Sequence, residues 1–164
     1  MDAIEALRTR RSCRRYADRD VPRDLVEKIV DAGRLAATAR NEQPWEFVVV
    51  TDAAARSEIA AMAEYGAFIA DSPVCIAVLA KDTKYYLEDG SAATQNILLA
   101  AHALGLGACW VAGDKKAYAP KIVERLGAPA TMKLVALVAV GWPEGPLPKP
   151  GKRSLADVIH WDMF

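Results

Sequence analysis

The longest helical pattern in the chain, Lys84 to Leu104, lines Ala93, Ile97, Ala100, Ala101 and Leu104 along one stripe, yet Leu98 and Leu99 fall off it. A helix that is apolar nearly all round must be covered on more than one side, by its own domain or by a partner chain. Gly105 follows where a left-handed residue stops such a helix. The other elements have to be arranged around it. Asp2 to Arg8 forms a short helix, and Pro22 opens a second with Leu25, Ile29, Ala32 and Ala36 at helical spacing. Glu46 to Thr51 is rich in β-branched residues and reads as a strand, after which Asp52 caps a helix running to Met62. Val74 to Ala80, Ala108 to Ala112 and Met132 to Val140 are three further strands, with a helix from Pro120 to Leu126 between the last two. A Pro/Gly/Lys-rich loop, Trp142 to Arg153, leads to Ser154-x-x-Asp157, a capping box that opens a last short helix. Strand and helix alternate, but two helices come first and the strands are few. The pattern is that of an α+β protein or a three-layer sandwich more than a doubly wound sheet. At 164 residues it is one domain, 1–164.

Formal net charge is zero, which gives no global case for nucleic acid or an anionic membrane. The distribution is less even. Six arginines and one acid, Asp18, lie between Arg8 and Arg19, so a positive patch sits on an otherwise acidic body. An acidic N-terminus without an apolar run gives no secretory signal, and the most apolar stretches are too short to span a bilayer. Cys13, Cys75 and Cys109 lack metal-ligand spacing, and their odd number argues against a disulfide framework, so a reducing cytoplasm is the expected location.

Three segments carry the chemistry. The first is Arg10-Arg11-Ser12-Cys13-Arg14-Arg15-Tyr16, and the second is Asn41-Glu42-Gln43-Pro44-Trp45-Glu46-Phe47, just ahead of the first strand. The third runs from Ala93-Thr94-Gln95-Asn96 through Leu104-Gly105-Leu106-Gly107-Ala108-Cys109-Trp110. Together they resemble, in order and over nearly the whole chain, the nitroreductase-like family of FMN enzymes. A weaker fourth, Lys152-Arg153-Ser154-Leu155, is similar to that family's closing basic pair. The resemblance implies a three-layer α/β/α sandwich with a mostly antiparallel central sheet, built as a homodimer. It implies FMN as cofactor, NAD(P)H as co-substrate and a small-molecule electron acceptor such as a nitroaromatic or quinone.

The physics agrees with that chemistry. A phosphate dianion is anchored well by guanidiniums and a hydroxyl, because arginine pairs bidentately with phosphate oxygens. By resemblance Arg10 and Ser12 hold the FMN phosphate, with Arg11 alongside. Arg14 matches a basic position at the flavin's pyrimidine end, where a cation stabilises negative charge near N1. Ala37, Thr38 and Ala39 stand where the family has Pro-Ser-Ser/Ala; Thr38 keeps a hydroxyl and Ala37 loses the proline. Asn41 and Gln43 supply amides that read flavin or ribityl edges, reaching in the family from the partner subunit. Ala112 and Gly113 match the place where a backbone N–H faces flavin N5. Lys152 and Arg153 add positive charge at the phosphate end or are ordinary solvated cations. About ten residues follow the basic loop, so the embrace of a partner seen in many relatives is expected to be abbreviated and the pocket open.

Other readings fare worse. Gly105-x-Gly107 closes a helix before a strand, the reverse of a dinucleotide fingerprint. His102 and His160 have no cysteine neighbours and make no metal site. Glu88 and Asp89 are adjacent on a helix, point to different sides and form no acid/base pair. Ser91 lacks the nucleophile elbow. The leading expectation is ping-pong hydride transfer from NAD(P)H to FMN and then to the acceptor, with no protein acid or base. Alternatives are flavin-dependent dehalogenation or breakdown of the flavin itself, and, outside enzymes, an anion- or nucleic-acid-binding module using the arginine patch.

Overall fold

A computed structural model describes residues 1–164. Its sheet has four strands, β1 (Trp45–Val50), β2 (Val74–Ala80), β3 (Gly107–Ala112) and β4 (Lys133–Gly141), in the order β1-β2-β4-β3. All three pairings are antiparallel. The two inner strands bury every residue except Lys133, as their near-continuous apolar sequences require when both faces are covered.

Five helices supply those covers: α1 (Ala3–Thr9), α2 (Arg23–Arg34), α3 (Ala53–Met62), α4 (Tyr86–Ala103) and α5 (Ala119–Arg125). One face of the sheet packs Ile76 and Val138 against Ile29 of α2 and Ile97 of α4. The opposite face packs Leu79 and Leu137 against Ile59 of α3 and Ile122 of α5, with Cys13 and Tyr16 beneath them. The result is an α/β/α sandwich of α+β class, as the sequence pattern and the resemblance implied.

Local chemistry sets the boundaries. Asp52 accepts from the Ala55 N–H at 2.7 Å as the N-cap of α3, and Gly105 takes φ +81 just past α4. Ser154 and Asp157 do form a capping box, but it closes only a single 3-10 turn, Leu155–Asp157, where a short helix was expected. Two other 3-10 turns, Ala39–Asn41 and Ala67–Ile69, have no periodic signal to announce them. A bulge shifts the β2–β4 register between Val78 and Leu79. It leaves Val135 pressing on α4, where a Cβ on Gly90 would lie 2.6 Å from its Cγ2. Glycine is required there by that close approach.

α4 is covered by the sheet and by α2 on the Ala93, Ile97, Leu98 and Ala101 side. Its Leu99, Ala100 and Ala103 instead line a shallow apolar groove of about 310 Å3 beside Met1, Ala6 and Leu7 of the α1 segment. Residues 151–164 are exposed throughout, with Trp161 and Met163 at 80% and 82%. No helix is long and apolar enough to cross a membrane.

Candidate functional site

The arginine segment leaves α1 as a strap laid along the free edge of β3. Ser12 bridges Ala108 in parallel, and the Cys13 N–H donates to the Ala108 carbonyl at 3.0 Å. Gly107 allows this approach, because a Cβ there would sit 2.5 Å from the Cβ of Cys13. Tyr16 then bolts the far end from inside the core: its hydroxyl donates to the carbonyls of Cys13 at 2.6 Å and Ala139 at 3.2 Å. The backbone of residues 12–16 is therefore fixed and the Arg14 guanidinium projects from a rigid base, while Arg10 caps the end of α1 with its N–H on the Ala6 carbonyl at 3.0 Å.

Those two cations are uncommitted. Arg15 pairs with Glu144 at 3.1 Å, whereas Arg10 and Arg14 make no ion pair or side-chain hydrogen bond, and Arg14 only faces the Phe68 ring at 5.8 Å. Arg11 folds back, donating to the carbonyls of Arg8 at 2.9 Å and Arg10 at 2.8 Å, while its buried Nε has no partner. The Cys109 thiol on β3 records how the group converges. Burial pushes its pKa up, and Arg14, the Ser12 hydroxyl and Arg10 each pull it partly back. On the other flank, His102 of α4 shares a hydrogen bond of 2.8 Å with the Thr9 hydroxyl. Its pKa is lowered by burial first and then by Arg10 and Arg11. His102 is half-buried and hydrogen-bonded, in keeping with a satisfied histidine, and it senses the charge of the strap.

The strap and the end of β3 meet at a cavity of about 210 Å3 lined by Arg14, Tyr65, Phe68, Trp110, Ala112 and Tyr118. Gly113 spends its N–H on the Val135 carbonyl at 3.1 Å. Hydrogen-bonded pairs alternate along an antiparallel ladder, so the neighbouring Ala112 N–H faces the free edge. The Tyr118 hydroxyl holds the Ala112 carbonyl. Of the two positions singled out from the sequence, Ala112 is the one with an amide to offer.

The amide loop lies elsewhere. Ala37 to Gln43 joins α2 to β1, with Thr38 extended and Arg40, Asn41 and Gln43 all in the left-handed region at φ 52, 57 and 48. The Thr38 hydroxyl accepts from the Gln43 N–H at 3.4 Å, and Asn41 and Gln43 are exposed. Register places the start of β1 at the same end of the sheet as Ala112, because Trp45 pairs with Ala80, Ala80 with Lys133, and Ala112 with Ala136. The two lie on opposite edges, however, three strand spacings or about 14 Å apart. An asparagine or glutamine side chain does not cross that gap. Lys152 and Arg153 sit on the exposed tail, Arg153 bonded to the Asp157 carbonyl, with no bond to the strap.

One polar residue beside the loop was passed over in the sequence. Asp89, dismissed above as half of a non-pair with Glu88, is 4% exposed and accepts from the Ala39 N–H at 3.0 Å. Its spacing was the available signal: it stands four residues ahead of Ala93 and eight ahead of Ile97, on the buried stripe.

The sequence profile of the nitroreductase family matches residues 7–65 and 60–142. The chain belongs to the nitroreductase family. A provisionally named NADH dehydrogenase/NAD(P)H nitroreductase of Methanothermobacter thermautotrophicus is 39% identical, across 100% of this chain and 88% of its own length. Among solved structures, a nitroreductase-like protein of Desulfovibrio desulfuricans in complex with FMN superposes with TM-score 0.88 at 32% identity, covering 100% of this chain and 99% of that one. An FMN-dependent nitroreductase of Clostridium difficile gives TM-score 0.91 at 29% identity, over 98% and 99% of the two chains.

Proposed function

We propose that this chain is an FMN-dependent NAD(P)H oxidoreductase that works as a homodimer with two shared sites. By a ping-pong route it delivers reducing equivalents to a small-molecule acceptor such as a nitroaromatic or quinone. The observation that carries this reading is the strap: Arg14 on a backbone locked to β3 and Arg10 at the adjoining end of α1 stand without ion-pair partners, with the Ala112 amide free at the far end. The donor set suits a phosphate monoester joined to a flat, electron-accepting ring.

In this reading Arg10 and Ser12 hold the phosphate, with Arg11, Lys152 and Arg153 adding positive charge around it. Arg14 sits by the pyrimidine edge and favours charge near N1, and Ala112, backed by Gly113, offers its N–H towards N5. Thr38, Asn41 and Gln43, with the backbone of Ala37 and Ala39, come from the partner subunit. The 14 Å separation across the sheet in one chain supports a site completed by a second copy. Bound FMN supplies a ring that takes hydride from NAD(P)H and returns it to the acceptor. The protein fixes the ring's position and charge and excludes water from one face; no side chain has to move a proton. The whole of 1–164 acts as one domain, and its three buried free cysteines suit a reducing cytoplasm.

Native protein should therefore carry FMN, identified by chromatography after heat release. Parallel double-reciprocal lines are expected, and a sedimentation mass of two chains. Colourless protein that also fails to take up added FMN would refute the reading.

A further inference from the structure

A carboxylate that is 4% exposed needs a reason to be inside, and Asp89 has only one partner: Oδ1 accepts the Ala39 N–H at 3.0 Å, while Oδ2 is buried with none. Unsatisfied buried oxygens are uncommon and costly, and they cluster where function demands them. The position softens the cost, since Asp89 lies in the first turn of α4, where the helix dipole favours negative charge. What it gains is a hold on a strained loop. Ala39 opens the turn that carries Arg40, Asn41 and Gln43 with positive φ, and residues with a Cβ pay for that conformation unless their surroundings impose it. Within the loop the side-chain bonds are long, at 3.4 Å from Gln43 N to Thr38 Oγ1 and 3.4 Å from Gln43 Nε2 to the Asn41 carbonyl, and the turn's backbone bonds are 3.3 Å from Asn41 N to the Thr38 carbonyl and 3.1 Å from Glu42 N to the Ala39 carbonyl. The Asp89 contact is the shorter, charge-assisted one, and it ties the loop to a buried helix.

We propose that Asp89 is a positioning residue that clamps the Thr38–Gln43 loop, holding Asn41 and Gln43 in the strained form that presents their amides to the flavin. The proposal rests on the flavin reading above, but its contact lies wholly within one chain and is testable without cofactor.

The test uses the full-length protein stripped of FMN. In Asp89→Ala, hydrogen exchange of the amides of residues 39–43 should quicken at least tenfold while the β-strand amides stay protected. FMN titrated back should bind at least tenfold more weakly. Asp89→Asn keeps an acceptor for Ala39 and should recover most of both. Ala39→Pro removes the donor instead of the acceptor; it sits at the first position of a turn after an extended residue, where proline is accommodated, so it serves even if Asp89→Ala does not fold. It should weaken FMN as Asp89→Ala does. The effects of Asp89→Ala and Asn41→Ala on FMN affinity should be sub-additive, because both act through one loop, whereas a general packing defect would add. Unchanged exchange at 39–43 in folded Asp89→Ala, or at 40–43 in Ala39→Pro, overturns the proposal whatever the protein does with FMN, and so does full additivity. Wild-type protein that ignores FMN but keeps the exchange effect would sink the flavin reading alone.

Discussion

The two edges of the sheet carry polar recognition in opposite ways. Along β3, residues 12–16 are fastened by a backbone bridge, by the contact of Cys13 with Gly107 and by the buried Tyr16 hydroxyl, so the cations that project from them start in place. Beside β1, residues 38–43 have no bridge to the sheet, three left-handed residues and one carboxylate as anchor. A ligand at the first edge meets a preorganised surface and pays little to order it. The second edge stores strain that its surroundings must sustain. In the proposed reading the rigid half would hold the high-charge end of the ligand, and the strained half would reach a flavin bound by the partner subunit.

The largest effect expected comes from emptying the rigid edge. Arg10→Ala should weaken FMN binding by about 2–5 kcal/mol, and adding Ser12→Ala should give protein that purifies without cofactor. Arg19→Ala should leave binding unchanged, since Arg19 stacks on Trp142 at 3.9 Å, away from the strap. Comparable losses from all three would mean diffuse surface attraction. Next comes Tyr16→Phe, which strips two buried carbonyls of their donor and should cost about 1–3 kcal/mol of stability, seen as a drop of several degrees in Tm. If FMN affinity does not fall with it, the strap is not held from below as described. At the strained edge the sign reverses. Arg40→Gly should raise stability by about 0.5–1 kcal/mol by relieving a left-handed arginine, and its exposed ion pair with Glu42 is worth little; a lower Tm would show that the turn is not strained.

The smallest effect is electrical. His102 sits below its ordinary value of 6.5 through burial and then Arg10 and Arg11, so its neutral ring adds stability above that pH that is lost on acidification. Inorganic phosphate bound at the strap should offset the arginines and raise the His102 pKa, followed by NMR of its ring protons. Phosphate binding with an unmoved His102 would place the anion elsewhere.

The elements of the sheet were legible because burial on two faces writes itself as unbroken apolar runs, as in Val74 to Ala80. The arginine motif was legible because charge clustering survives without geometry. Which of Ala112 and Gly113 frees its amide was not, since that depends on ladder phase, which a partner strand sets. The fold-back of Arg11 onto its own helix end was invisible for the same reason. The 3-10 turn at Ala39–Asn41 is three residues long and leaves no periodicity to detect. Asp89 was missed because an acid is read by default as solvated, although its place on the apolar stripe of α4 marked it.

The strand order carries a consequence for how the molecule is made. β4 is last in sequence but lies between β2 and β3, and it alone joins them. A nascent chain that has emerged only as far as α5 holds β1 and β2 as one fragment and β3 as a loose strand, with the strap lacking its second bridge at Pro143. Folding of the sheet must wait for Gly141 to clear the ribosome, and such non-local pairing is slow and exposes strand edges while it waits. The β3 edge and its strap should therefore be among the last parts of the chain to form, and a stop codon anywhere before Gly141 should yield protein that aggregates instead of a smaller domain.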